Sequence, residues 1–217
     1  MRLRILVIMI GAFLVVAAFS FPYWQRFVQD TPEEIMILFP GLPVNQQSDF
    51  ASLPLDQQQA YLQLSASNPT TALRMVTSAL EPRIPLPEED QAMLEMNAPV
   101  PIAAGRFTPI TPIRWGQGRV TLFQSVDNVF VLRFEDFSMP NGPDLRVVLS
   151  ALEAPDSAAA MNSGITPSYE VGPLLTSFGS QNYELPVGFN PSAYRSVVIY
   201  SGALDIVYTV APLSIRQ

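Results

Sequence analysis

From Gly105 to the C-terminus, short apolar–polar alternations are broken at regular intervals by turn residues. Candidate strands are Arg119–Gln124, Asn128–Asp136, Leu145–Ala151 and Tyr169–Leu174, a piece around Tyr183, then Tyr194–Tyr200 and Leu204–Val210. The punctuation has a local mechanism. In Asn141-Gly142-Pro143, Asn and Gly tolerate positive φ and Pro fixes its own, so the chain turns before Leu145, Val147 and Leu149 line up on one strand face. Phe130, Leu132 and Phe134 share a face, with Val131, Arg133 and Glu135 opposite and the two charged side chains expected in solvent. Leu204, Ile206, Tyr208 and Val210 alternate with Asp205, Val207 and Thr209, a pattern of ordinary core burial. Many short strands spaced this way predict an antiparallel sandwich or barrel.

Upstream the period changes. Leu55–Ser65 is built of helix formers, with Pro54 before the first turn and Asp56 within it. Asn68-Pro69 caps a second helix carrying Ala72, Leu73, Val76, Ala79 and Leu80 at helical spacing, ended by Glu81-Pro82. The pair predicts a helical hairpin that packs on the β-domain, the competing reading being a spacer that grips a partner, with Gln57, Gln58 and Gln59 as a solvated face. Seven prolines between Pro82 and Pro112 predict a stiff, extended connector, with a short helix starting at Glu88-Glu89-Asp90 and running through Met96.

The first residues read differently again. Ile5 to Trp24 carries no charge, long enough at about 1.5 Å per residue to cross a hydrocarbon core of about 30 Å. Arg2 and Arg4 precede it and Asp30, Glu33 and Glu34 follow, which puts the N-terminus in the cytoplasm and the bulk outside, periplasmic or at the cell surface. A cleaved signal peptide with Ala18-Phe19-Ser20 as its site is the competing reading, and the length of the run favours an anchor in the lipid bilayer at residues 5–24.

Composition narrows the chemistry. All 12 basic residues are arginine, and the 217-residue chain has no Lys, His or Cys. That removes the usual zinc sites, Ser–His and Cys–His nucleophiles, thiolate clusters, Schiff-base chemistry and the phosphate-binding lysine. A net charge of −7 argues against nucleic acid. The charge is uneven: residues 27–100 hold ten acidic residues against two arginines, and residues 101–217 hold nine against seven.

Gly142-Pro-Asp-Leu-Arg-Val-Val-Leu-Ser150, Gly172-Pro-Leu174, Gly179-Ser-Gln-Asn-Tyr-Glu-Leu-Pro186 and Tyr194-Arg-Ser-Val-Val-Ile-Tyr200 together resemble the DM-thirteen domain. Gly105-Arg-Phe107, Gly118-Arg-Val-Thr-Leu122 and Ala211-Pro-Leu213 fit its first strands and its end. The resemblance implies a small β-sandwich of secreted and membrane-anchored proteins, for which a role in electron transfer through a strand-closing cysteine has been proposed. Here that position is Ser201, which has no accessible redox couple, so the resemblance carries the fold and not the thiol chemistry.

The motifs' polar positions are the candidates for a ligand edge: Asn141, Asp144, Gln181, Asn182, Tyr183, Tyr200 and Ser201. The competing reading makes Asn141 and Asp144 turn caps and Gln181–Tyr183 the inner bonding of a loop. Asp136 is expected on the Phe130 face, and with Glu135 and Asp144 it lacks the spacing of a calcium loop. The expected organisation is an anchor at 1–26, an acidic helical segment at 27–82, a Pro-rich connector at 83–104 and a mainly β sandwich at 105–217. No catalytic constellation, metal site or cofactor is expected. The expected role is non-enzymatic binding of a protein or glycan outside the membrane. The alternative is an accessory of membrane electron transfer working through a bound cofactor or partner.

Overall fold

A computed structural model describes residues 38–163, 165 and 167–215. The anchor expected at residues 5–24 lies outside them, and among the described residues no helix is long and apolar enough to cross a membrane. Among the described residues four helices come first: α1 (Val44–Ala51), α2 (Leu55–Ser67), α3 (Pro69–Ala79) and α4 (Glu88–Gln91). The strands are β1 (Val100–Arg106), β2 (Thr108–Pro109), β3 (Gln117–Gln124), β4 (Phe130–Ser138), β5 (Leu145–Ser150), β6 (Tyr169–Pro173), β7 (Phe178–Leu185), β8 (Ser196–Ser201), β9 (Ile206–Pro212) and β10 (Ser214–Ile215). A short helix α5 (Ala158–Met161) lies between β5 and β6. Two five-stranded antiparallel sheets, ordered β10-β1-β3-β4-β7 and β2-β9-β8-β5-β6, make the expected sandwich.

The helices form where the caps predict. Asn68 accepts a hydrogen bond from the Thr71 amide at 3.1 Å, and Pro69 supplies a first-turn residue that needs no donor. The sequence reading missed α1, which is short and ordered by its surroundings. Phe50 is fully buried between Phe39 and Tyr61, with ring centroids 5.2 and 6.5 Å away. Gln58 is not on a solvated face. It is buried, and its amide donates to the Ala51 and Leu53 carbonyls at 3.0 and 2.7 Å, tying the start of α2 to the end of α1. The helix at Glu88 stops at Gln91 rather than reaching Met96.

Register irregularities in β1, β4 and β9 each have a visible reason. β1 starts at Val100 inside the expected connector, because Pro101 sits at a register irregularity against β3 where no ladder donor is required. In β4 the register shifts between Phe134 and Phe137: Asp136 adopts φ +51, is extruded to solvent, and Phe137 takes the core position expected for it. Gly118 faces this bulge, where a Cβ would lie 2.7 Å from the Asp136 oxygen and the Phe137 Cα. In β9 a second irregularity makes Tyr208 an extra residue, so Val207 and Val210 fall into one cluster although they are three apart.

Two apolar layers result. The main core contains Phe107, Phe134 and Phe137, with centroids 4.9 to 5.2 Å apart, and the buried Val147, Leu149, Val197 and Ile199. The second, on the other side of the β5–β8–β9 sheet, joins Val148, Val198, Val207, Val210 and Met161, with Ile110 and Tyr200 against it. Covering both faces explains why Val147-Val148-Leu149 is buried without a break.

Candidate functional site

The turn before β5 and the end of β8 are one bonded unit. Asp144 takes φ +48 and its carbonyl accepts the Gly202 amide at 3.0 Å, while the Ser201 hydroxyl donates to the Pro143 carbonyl. Gly142 must be glycine, since a Cβ there would sit 2.7 Å from the Tyr208 hydroxyl oxygen. The Asp144 carboxylate accepts from Arg146 at 3.1 Å, and Arg146 reaches Glu170 at 2.7 Å. Tyr200 donates to Asp205, and this bond, with some burial, pushes its phenol up to about 12. Ser201 is fully buried, so its hydroxyl is committed to the fold.

The second group lies on β7 and splits by strand alternation. Gln181 and Tyr183 point inward. The Gln181 amide donates to the Thr176 carbonyl at 3.0 Å, and its oxygen accepts from the Thr176 amide at 3.2 Å and the Tyr183 hydroxyl at 2.8 Å. The Tyr183 oxygen in turn accepts the Leu175 amide, and burial pushes its phenol upward. Asn182 points the other way. It donates to the Ala92 carbonyl at 2.7 Å and accepts from Arg133 at 2.9 Å.

Much of this polar set grips residues 81–92, the end of the helical segment and the start of the chain's own connector. Asn141 donates to the Glu81 carbonyl at 3.0 Å, Thr176 to that of Ile84 at 2.8 Å, and Arg133 to that of Gln91 at 3.1 Å. Arg83 donates to the Ser138 hydroxyl at 2.9 Å and lies 5.4 Å from the Phe178 ring centroid. A Pro-rich segment has few backbone donors, so its free carbonyls need side-chain donors, and the sandwich supplies them. Asn141 and Thr176 meet across a cleft of about 290 Å³ that also includes Glu81, Ile84, Gly142 and Leu175. Asn182, Tyr200 and Asp144 do not face it. The seven candidates are therefore spread over two sheets rather than gathered on one edge, with partners inside the fold.

Arg133 and Thr176 were not among the candidates. Alternation placed Arg133 in solvent, yet it is half-buried and holds Gln91, Asn182 and Glu135, and only the connector's position shows why. Glu135 loses some hydration, which alone would raise its carboxyl, but hydrogen bonds and charges from Arg119 and Arg133 hold it below the usual range. Its contribution to stability is present at neutral pH and is lost as pH falls through that lowered value. Among the described residues no three acidic side chains gather as a cation site.

The turn reading of Asp144 has a measurable form. Asp144→Ala is expected to cost about 1 kcal/mol, from an alanine forced to positive φ and a lost exposed ion pair. Asp144→Gly should recover most of it in urea unfolding. Equal losses in both would overturn the backbone account.

Residues 110–213 match the protein family described as "Electron transfer DM13". No curated protein matches the chain, and no solved structure does.

Proposed function

We propose that the chain, whose C-terminal half carries an electron transfer DM13 domain, is a membrane-anchored, extracytoplasmic protein that binds a protein partner without catalysing a reaction. One observation carries the binding reading. At the end of the sandwich away from the α2–α3 hairpin, the β3–β4 and β7–β8 loops expose Val126 and Val187, 65% and 95% accessible, with Val129 beside them. Behind these tips Tyr169, Phe189 and Tyr194 form a half-buried cluster, Phe189 and Tyr194 stacked 5.4 Å apart. Aliphatic tips over a rigid aromatic base suit an apolar protein surface.

The anchor reading rests on the uncharged run at residues 5–24 with Arg2 and Arg4 before it. The test uses the full chain in its native membrane. Chemical crosslinking should trap a stoichiometric protein partner, and Val187→Asp should abolish the adduct while leaving the unfolding midpoint unchanged. An adduct that survives Val187→Asp, or none at all, sinks the surface assignment.

Electron transfer through a bound group is the second reading, favoured by the family's description. Without cysteine or histidine the chain would have to hold such a group by other donors. A stoichiometric haem, flavin or metal absorbance in protein purified from its host would replace the binding reading with this one.

A further inference from the structure

Where the helical hairpin meets the connection between β2 and β3 there is a cleft of about 450 Å³. Its walls are largely apolar: Leu64 from α2, Met75 from α3, Ile113 from the connection and Ile206 from β9. Arg114 is the one charged residue in its lining. Arg114 is half-buried, and only its Nη1 donates to protein acceptors, the Asp156 and Val207 carbonyls, both at 3.3 Å. Both bonds are slightly longer than the usual range for N–H···O. Among the described residues Arg119, Arg133 and Arg146 each pair with a carboxylate; Arg74, Arg83, Arg106, Arg195 and Arg114 pair with none, and of these five only Arg114 is not exposed.

A guanidinium carries five N–H donors in a planar fork that matches a carboxylate. Held half-buried with no counter-charge among the described residues, in a chain of net charge −7, it is the local feature that attracts rather than repels an anion. The backbone fixes its place. The Arg114 amide donates to the Thr111 hydroxyl at 3.1 Å and the Ile110 amide to the Arg114 carbonyl at 2.8 Å, closing a tight loop. A cleft of this volume falls within the span that small-ligand sites occupy, mostly apolar with one well-placed polar group. We propose that it binds an aliphatic carboxylic acid, the carboxylate on Arg114 and the hydrocarbon chain along Leu64, Met75, Ile113 and Ile206.

Octanoate is a suitable probe because it stays monomeric at high concentration. It is titrated calorimetrically into the full chain reconstituted in lipid nanodiscs, with empty nanodiscs subtracted. Saturable one-to-one binding is expected. Arg114→Gln should weaken it by about tenfold or more, and Arg114→Lys by less, since a lysine keeps the charge and loses the fork. Leu64→Gln, at a half-buried position, should weaken octanoate and leave any weak binding of acetate unchanged. Octyltrimethylammonium, with the same chain and opposite charge, should not saturate. The proposal is overturned if octanoate shows no saturable binding, if Arg114→Gln binds it as well as the parent, or if the two octyl probes give the same isotherm. Should Arg114→Gln fail to fold by circular dichroism, the Leu64→Gln and octyltrimethylammonium arms still decide it.

Discussion

Phe134→Ala is expected to lower the unfolding free energy of the β-sandwich by about 3–5 kcal/mol, the range for deleting a fully buried aromatic ring. The residue is inaccessible to solvent and centres a cluster in which Phe107, Phe137 and Tyr183 stand 5.0, 5.2 and 5.5 Å from its ring. Two of these neighbours are themselves held in place, one by its backbone and one by its hydroxyl. Phe137 reaches the core through the bulge at Asp136, and Tyr183 is fixed by bonds to Gln181 and the Leu175 amide. Neither can relax far into the space left behind, so the cavity term should sit at the upper end of the range. Urea unfolding of the full chain would show a lower midpoint with little change in slope. Val187→Ala, at an exposed loop tip, should stay within about 0.5 kcal/mol of the parent. A loss below about 1.5 kcal/mol at Phe134 would mean that the cluster collapses freely and that the bulge is not rigid.

The same cluster marks what could be read from sequence. Phe130, Leu132 and Phe134 were legible as an inward face because one side of β4 obeys a period of two up to the bulge. Asp136 was not, because nothing in the order Phe134-Glu135-Asp136-Phe137 announces that the strand gains a residue. The requirement comes from Gly118 across the ladder, whose φ of +111 and missing Cβ make room for it. β5 shows the complementary case. Its alternation assigned Leu145, Val147 and Leu149 correctly to a shared face, yet Val148 is buried too, under Met161 and beside Val198. A helix of four alanine-rich residues has too little amphipathic signal to foretell that cover. The helical hairpin was legible nearly residue by residue, since a cap and a first-turn proline act locally.

The candidate polar positions were legible as residues and not as an arrangement. Sequence order cannot say that Asn141, in the turn before β5, and Asn182, on β7, would be taken up by carbonyls of Glu81 and Ala92. Those bonds join residues sixty or more positions apart. They exist because a proline-dense segment brings acceptors without donors to a sandwich whose outward Asn, Thr and Arg side chains supply them. The pairing belongs to the connector as much as to the domain.

Gln181→Leu should have the second large effect, about 3 kcal/mol or more, although the two side chains are similar in size. Gln181 is fully buried and satisfies three groups at once: the Thr176 amide, the Thr176 carbonyl and the Tyr183 hydroxyl. Leucine offers none of these bonds, and each buried polar group left alone costs about 1–3 kcal/mol. The damage should spread in a defined direction. Thr176 also holds the Ile84 carbonyl through its hydroxyl, so loosening residues 174–177 releases the connector. Hydrogen exchange should speed up at Leu175 and Thr176 and at the amides of 84–92, while Val147–Leu149 in the opposite sheet stay protected. A ligand-edge role for Gln181 predicts the reverse: unchanged stability and exchange with partner binding lost. Adding Tyr183→Phe decides whether the network or the single bond matters. The phenylalanine removes the hydroxyl that Gln181→Leu strands, so the double variant should lose less than the two single losses combined, by about 1 kcal/mol. Strict additivity would mean that the Tyr183 hydroxyl finds another acceptor once Gln181 is gone, and the loop would then be adaptable where its bonding describes a fixed one.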